Sequence, residues 1–81
     1  MIDSDELRKA LGQNVRRLRL AREWTQDDLA EKLEISRGQL NRIENGHHSP
    51  GAEVLFGLAD AFDVPADSLR QISSPARLTT V

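Results

Sequence analysis

The stretch from Thr25 to Gly46, TQDDLAEKLEISRGQLNRIENG, constrains the fold of this chain more than any other. Two short helical patterns lie inside it, joined by a connection too short to let them separate. Thr25 can cap the first, with Asp28 in the place of a capping-box acid. Leu29, Ala30 and Leu33 then recur at the spacing of a helix with one apolar face. Ile35 is apolar within the turn, and Ser36 can cap a second helix whose inward residues are Leu40 and Ile43. Asn45-Gly46 supplies a C-terminal stop. Two helices so close must cross steeply, and the second turns polar residues away from the core. That is the outline of a helix-turn-helix over about residues 25–45.

Around this stretch the chain reads as five helices and a tail, an all-α fold. Asp3 or Ser4 can cap a first helix running to about Arg22, with Leu7, Leu11, Val15 and Leu18 in one apolar stripe. Arg8, Lys9, Arg16, Arg17 and Arg22 point elsewhere or flank it and read as a solvated face. Gly12, inside that helix at a cost of roughly 1 kcal/mol against Ala, suggests the close approach of another backbone. Arg19 stands out, because it follows Leu18 at the buried edge of the stripe. Trp24 can act as a hydrophobic staple against Leu29 or as the largest piece of the core. Beyond Gly46, Ser49-Pro50-Gly51 breaks the chain, and Val54, Leu55, Leu58, Ala59 and Phe62 mark a fourth helix. Asp63-Val64-Pro65 is a turn into a short fifth helix carrying Leu69 and Ile72. This gives one domain over 1–72 and a C-terminal tail, 73–81, that is disordered or associated with a dimer.

Composition narrows the function. An 81-residue chain with two Phe, one Trp and no Tyr builds a small, mostly aliphatic core. The absence of Cys excludes a disulfide framework and a thiolate zinc site. His47 and His48 are adjacent, a poor spacing for one metal ion, so no metal or other cofactor is expected. They read as neutral loop histidines or, beside DNA, as partly protonated ones. No apolar run reaches the roughly 18 residues of a membrane span, and MIDSDELRK lacks the features of a signal peptide. A soluble cytoplasmic protein is the expectation, with no membrane partner. No nucleophile–base pattern, phosphate-cradling glycine loop or carboxylate cluster suggests an enzyme. The net charge of −2 argues against a general polyanion binder and leaves room for a local positive face.

From Leu11 to Leu69 the chain resembles the Cro/lambda-repressor-type, or XRE, family of helix-turn-helix DNA-binding proteins. LGQNVRRLRLAREWTQDDLAEKL is similar to that family's first two helices, ISRGQLNRIENG to its turn and recognition helix, and SPGAEVLFGLADAFDVPADSL to its last two. Arg19, Thr25-Gln26, Leu29-Ala30, Ile43-Glu44 and Gly46 in register make the resemblance specific. It implies a five-helix lambda-repressor-like domain that binds double-stranded DNA. It also implies a partly buried ion pair between Arg19 and Glu44, and backbone contact at Gln26. Two departures stand out. Glu34 occupies a turn position where the family commonly has Gly, and Gly38-Gln39 replaces small or polar residues, so base preference does not transfer.

About 100° of rotation per residue assigns the faces of the second helix of the pair. With Leu40 and Ile43 inward, Gly38, Asn41, Arg42 and Asn45 lie outward, Arg37 takes the exposed N-terminal corner and Gln39 flanks the other edge. Such a helix, entering a major groove by its N-terminal end, presents Arg37 first and Arg42 one turn deeper. Arginine suits guanine O6 and N7, and glutamine suits adenine N6 and N7. Gly38 reads no base; it lets the backbone come close or is simply a tolerated early-helix glycine. The expected base contacts are Arg37, Gly38, Gln39 and Arg42. Phosphate contacts are expected from Gln26, at a helix N-terminus suited to an anion, and from Ser36, Asn41, Asn45 and His47.

Residues 1–51 carry nine basic and nine acidic side chains, so one copy gains little from counterion release. A homodimer on a palindromic site meets that difficulty, with Phe62, Val64, Leu69 and Ile72 as the expected dimer contact. The leading expectation is a sequence-specific transcriptional regulator, most simply a repressor. The alternative is an antitoxin-type module that binds a toxin and autoregulates its operon.

Overall fold

Asp3 begins the first helix: its Oδ1 accepts the Glu6 N–H at 2.8 Å, satisfying one of the free donors of the first turn. The computed structural model describes residues 3–71, which form α1 (Ser4–Ala21), α2 (Gln26–Leu33), α3 (Arg37–Glu44), α4 (Ala52–Phe62) and α5 (Ala66–Leu69). The all-α, five-helix reading agrees with this order.

The two expected caps of the central pair are present. Thr25 Oγ1 accepts the Asp28 N–H at 3.0 Å while Asp28 Oδ2 accepts the Thr25 N–H at 2.8 Å, a reciprocal capping box. The Thr25 N–H and hydroxyl, then Lys32, hold the Asp28 carboxyl below its ordinary value of 3.8. A carboxyl with a lowered folded-state pKa adds stability above the unfolded value and loses it as pH falls through the folded one. The box is therefore intact at neutral pH and opens only in acid. Ser36 Oγ accepts the Gln39 N–H at 3.0 Å and starts α3.

Between them Glu34 stands in the left-handed region at φ 57°, and its N–H donates back to the Glu31 carbonyl at 3.2 Å. Side chains there carry about 1–2 kcal/mol of steric strain that glycine avoids. Glycine suits this turn for that reason, and Ile35 compensates by packing against the core.

Leu11, Val15, Leu29, Leu40, Leu55, Leu58, Phe62 and Leu69 fill one continuous core, with Ile43 fully buried as well. Leu7, expected in the buried stripe of α1, is instead 45% exposed. It lines an open groove with Pro50 and Leu55, so one side of it meets solvent rather than closed core. Trp24 is half-buried and stacks on Phe62, ring centroids 5.9 Å apart. The Arg22 guanidinium covers both rings at 5.8 and 5.1 Å and donates through Nη2 to the Phe62 carbonyl at 2.6 Å, at the C-terminal end of α4.

The dimer contact expected from sequence needs correction. Phe62 is 1% exposed and Leu69 is 0% exposed, so the domain's own core uses both side chains and leaves no surface for a partner. Their spacing on short C-terminal helices concealed this, because α5 folds back on α1. Buried Asn14 on α1 donates its Nδ2 to the Leu69 carbonyl at 2.7 Å and the Gln71 carbonyl at 2.8 Å. Val64 is half-buried against the same core. Ile72 and the tail 73–81 lie outside the described residues.

Gly12 explains how α3 sits on α1. A Cβ at that position would lie 2.5 Å from the carbonyl oxygens of both Ile43 and Glu44, closer than real carbon–oxygen contacts allow. Bare Cα lets the last turn of α3 rest on the α1 backbone. Gly12→Ala is expected to destabilise the domain by about 3 kcal/mol, at the upper end of overpacking costs because the clashing atoms are backbone. The roughly 1 kcal/mol that Ala ordinarily gains over Gly in a helix is outweighed. Urea denaturation checks this, and a midpoint at the wild-type value contradicts it.

Candidate nucleic-acid interface

The site begins with a buried charge pair. Arg19 Nε donates to Glu44 Oε2 at 2.7 Å and Nη2 donates to Oε1 at 3.1 Å, a bidentate pair joining α1 to the end of α3. The Arg19 side chain is 9% exposed and that of Glu44 is 2%. A third Arg19 nitrogen, Nη1, donates to the Trp24 carbonyl at 2.8 Å. Gln26, at the first position of α2, donates Nε2 to the same Glu44 Oε1 at 3.1 Å. One carboxylate thus gathers α1, α2 and α3. Both charges are compensated and hydrogen-bonded, which is the condition for burying them.

In front of this group lies an open polar cavity. Arg37 and Asn41 enter it from α3 and Asn45 from the C-cap of that helix, Gln26 and Asp27 from the start of α2, and Arg16 from α1. Arg37, Asn41 and Asn45 follow each other at i+4 and form one ridge. Asn45 Nδ2 donates to Asn41 Oδ1 at 3.0 Å, which holds two of its side chains together. Arg37 is exposed and its Nη1 stands 4.0 Å from Asp27 Oδ2, also exposed. A surface pair at that distance is worth about 0–1 kcal/mol, so Arg37 is free to exchange its partner.

The remaining sequence-expected residues lie around the rim. Gly38 is exposed, and a Cβ there would meet nothing nearer than Ser36 Oγ at 4.0 Å. The domain itself therefore does not require glycine at 38, unlike at 12. Gln39 is half-buried, Arg42 is exposed, and Ser36 uses its hydroxyl oxygen as the α3 cap. His47 is exposed, and its N–H donates to the Arg42 carbonyl at 2.9 Å.

Arg16 belongs to the cavity, yet its sequence position reads only as solvated surface. The signal was its spacing: three residues before Arg19, it shares that residue's side of α1. Among the described residues Arg16 forms no ion pair, whereas Arg19 is neutralised by Glu44. The cationic groups left at the cavity mouth are Arg16 and Arg37.

The comparison with known families decides the classification: residues 15–69 match HTH_3, a helix-turn-helix family. The chain belongs to that family. The matched segment runs from the middle of α1 to the end of α5 and so contains Arg19, the central helix pair and Glu44. An uncharacterized HTH-type transcriptional regulator, YazB of Bacillus subtilis, is 34% identical over 58 residues, 72% of this chain and 84% of the relative. Among solved structures, the restriction-modification controller protein C.AhdI from Aeromonas hydrophila superposes with a TM-score of 0.71. It is 28% identical, and the match covers 75% of this chain and 92% of that one. A hypothetical transcription factor from Neisseria, NHTF, reaches a TM-score of 0.81 at 26% identity, over 98% of this chain and 90% of its own. Among the described residues no helix is long and apolar enough to cross a membrane.

Removing one partner of the buried pair leaves the other charge without compensation. Glu44→Ala is expected to cost about 3–5 kcal/mol, a large share of the roughly 5–15 kcal/mol available to a domain. Thermal melting followed by circular dichroism checks it, and an unchanged melt would rule the pair out as a structural tie.

Proposed function

We propose that this chain is a sequence-specific transcriptional regulator that binds double-stranded DNA as a homodimer on a palindromic operator and represses by covering promoter DNA. The observation that carries the reading is the convergence of Arg37, Asn41, Asn45, Gln26 and Arg16 on one open face, with α3 held behind it by Arg19 and Glu44. Membership of a helix-turn-helix family and the transcription-regulator names of its relatives support the same reading.

In this reading α3 enters the major groove by its N-terminal end. Arg37 reads a base edge first, with Arg42 and Gln39 in support, and Gly38 allows close approach of the backbone. Gln26, Asn41 and Asn45 hold the phosphate chain, with Ser36 and His47 at the flanks. Arg16 adds a phosphate contact from α1. Asp27, in the same cavity, disfavours indiscriminate binding, because any phosphate brought there meets a carboxylate.

Two variants separate base reading from phosphate holding. Arg37→Ala is expected to lose about 1–3 kcal/mol at one base position and to relax preference there. Arg16→Ala is expected to weaken binding to all sequences alike and to reduce the slope of log K against log salt by about 1. DNA selected from a random library supplies the operator, and fluorescence anisotropy at several salt concentrations measures both variants. Wild-type affinity and preference in both would overturn this assignment of the face.

A further inference from the structure

A carboxylate in the first turn of a helix suits the positive end of its dipole, and α1, α2, α4 and α5 each carry one there. Helix α3 carries none and opens instead on a cation, Arg37. The missing carboxylate comes from the neighbouring helix. Asp27, the second residue of α2, sets Oδ2 4.0 Å from Arg37 Nη1, a charge contact too long for a hydrogen bond. The other acid of that turn is occupied, since Asp28 accepts the Thr25 N–H in the capping box. Among the described residues Arg37 is the only ionic partner of Asp27. Both side chains are exposed at the mouth of the cavity that Gln26, Asn41, Asn45 and Arg16 also line.

We propose that Asp27 is a positioning residue for Arg37, holding its guanidinium for a guanine edge and denying it to phosphate. That role rests on the DNA-binding reading above and names the residue on which the preference of Arg37 depends. The groups read as holding phosphate share the cavity with Arg37, so a phosphate passes within its reach. A guanidinium grips phosphate or guanine with the same two parallel N–H groups, and the phosphate contact carries no sequence information. A carboxylate beside it separates the two outcomes, because it repels a charged phosphate far more than a neutral base edge. With Nη1 turned to Asp27, the Nε–Nη2 edge is left to match O6 and N7. The pair is weak while both side chains are in water. It strengthens as DNA closes over the cavity and lowers the local dielectric. A bare negative charge would weaken binding whatever residue stood at 37, whereas positioning acts only through Arg37.

Fluorescence anisotropy of the full chain over a salt series tests this on three duplexes. They are the operator selected from a random library, the same duplex changed at the base pair where Arg37→Ala relaxes preference, and an unrelated sequence. Asp27→Asn is expected to bind the unrelated duplex more tightly and to lose about tenfold of discrimination at that base pair. Its slope of log K against log salt should steepen by about 1, as Arg37 takes up a phosphate. Asp27→Glu, which keeps the charge, should keep the discrimination. In the Arg37→Ala background, Asp27→Asn should no longer steepen the slope. Wild-type discrimination in Asp27→Asn overturns the proposal. So does an equal steepening with Arg37 removed, which would mark Asp27 as a plain charge and leave Arg37 as a base reader. Wild-type preference at every position in Arg37→Ala removes base reading by Arg37 itself, and the role of Asp27 with it.

Discussion

The seat of α3 on α1 governs the rest of the molecule. It combines a backbone contact that only Gly12 permits with the bidentate Arg19–Glu44 pair. Close approach alone leaves a helix of eight residues free to slide or rotate along its neighbour. A buried carboxylate with fixed donors on α1 and α2 removes that freedom, since each displacement strands a charge in a low-dielectric environment. The polar face of α3 is thereby given a defined orientation. Its inward residues, Leu40 and Ile43, contribute apolar burial but little directional information.

The same pair shapes the electrostatics of the face. Glu44 lies within reach of the cavity and would repel an anion if it were unpaired. Arg19 cancels that charge, and Gln26 occupies part of its remaining acceptor capacity. A chain with a formal charge of −2 can then still present a surface with Arg16 and Arg37 at its opening. The acidic residues of α2 contribute elsewhere: Asp28 belongs to the capping box, and its position in the first turn complements the helix dipole.

Much of the fold was legible because it depends on local chemistry. Thr25–Asp28 and Ser36 reveal helix starts through side chains that bond a backbone only a few residues away, and the periodicity of Leu29 to Ile43 reveals which side is buried. Gly12 was legible as an unfavourable residue that needed a reason. The parts that escaped depend on distances along the chain. Asn14 bonds carbonyls 55 and 57 residues away, and nothing near it in sequence signals that contact. Phe62 and Phe56 lie on one helix with similar hydrophobicity, yet one is core and the other surface. The separation follows from where α1, α2 and α5 pack on α4. Arg16 escaped for another reason: apart from its spacing from Arg19, which carries weight only once Arg19 is known to border a site, a basic residue on a helix gives the same pattern whether it meets water or lines a cavity.

Amide hydrogen exchange of the free wild-type protein tests the seat of α3 most directly, because it reports the stability of each helix separately. If Gly12 and the Arg19–Glu44 pair fix α3 to α1, the amides of Asn41–Glu44 should exchange at the same opening free energy as those of Val15–Arg19. Exchange of the α3 amides at a much lower free energy, with α1 still protected, would show that the recognition helix opens on its own. That result would contradict the account.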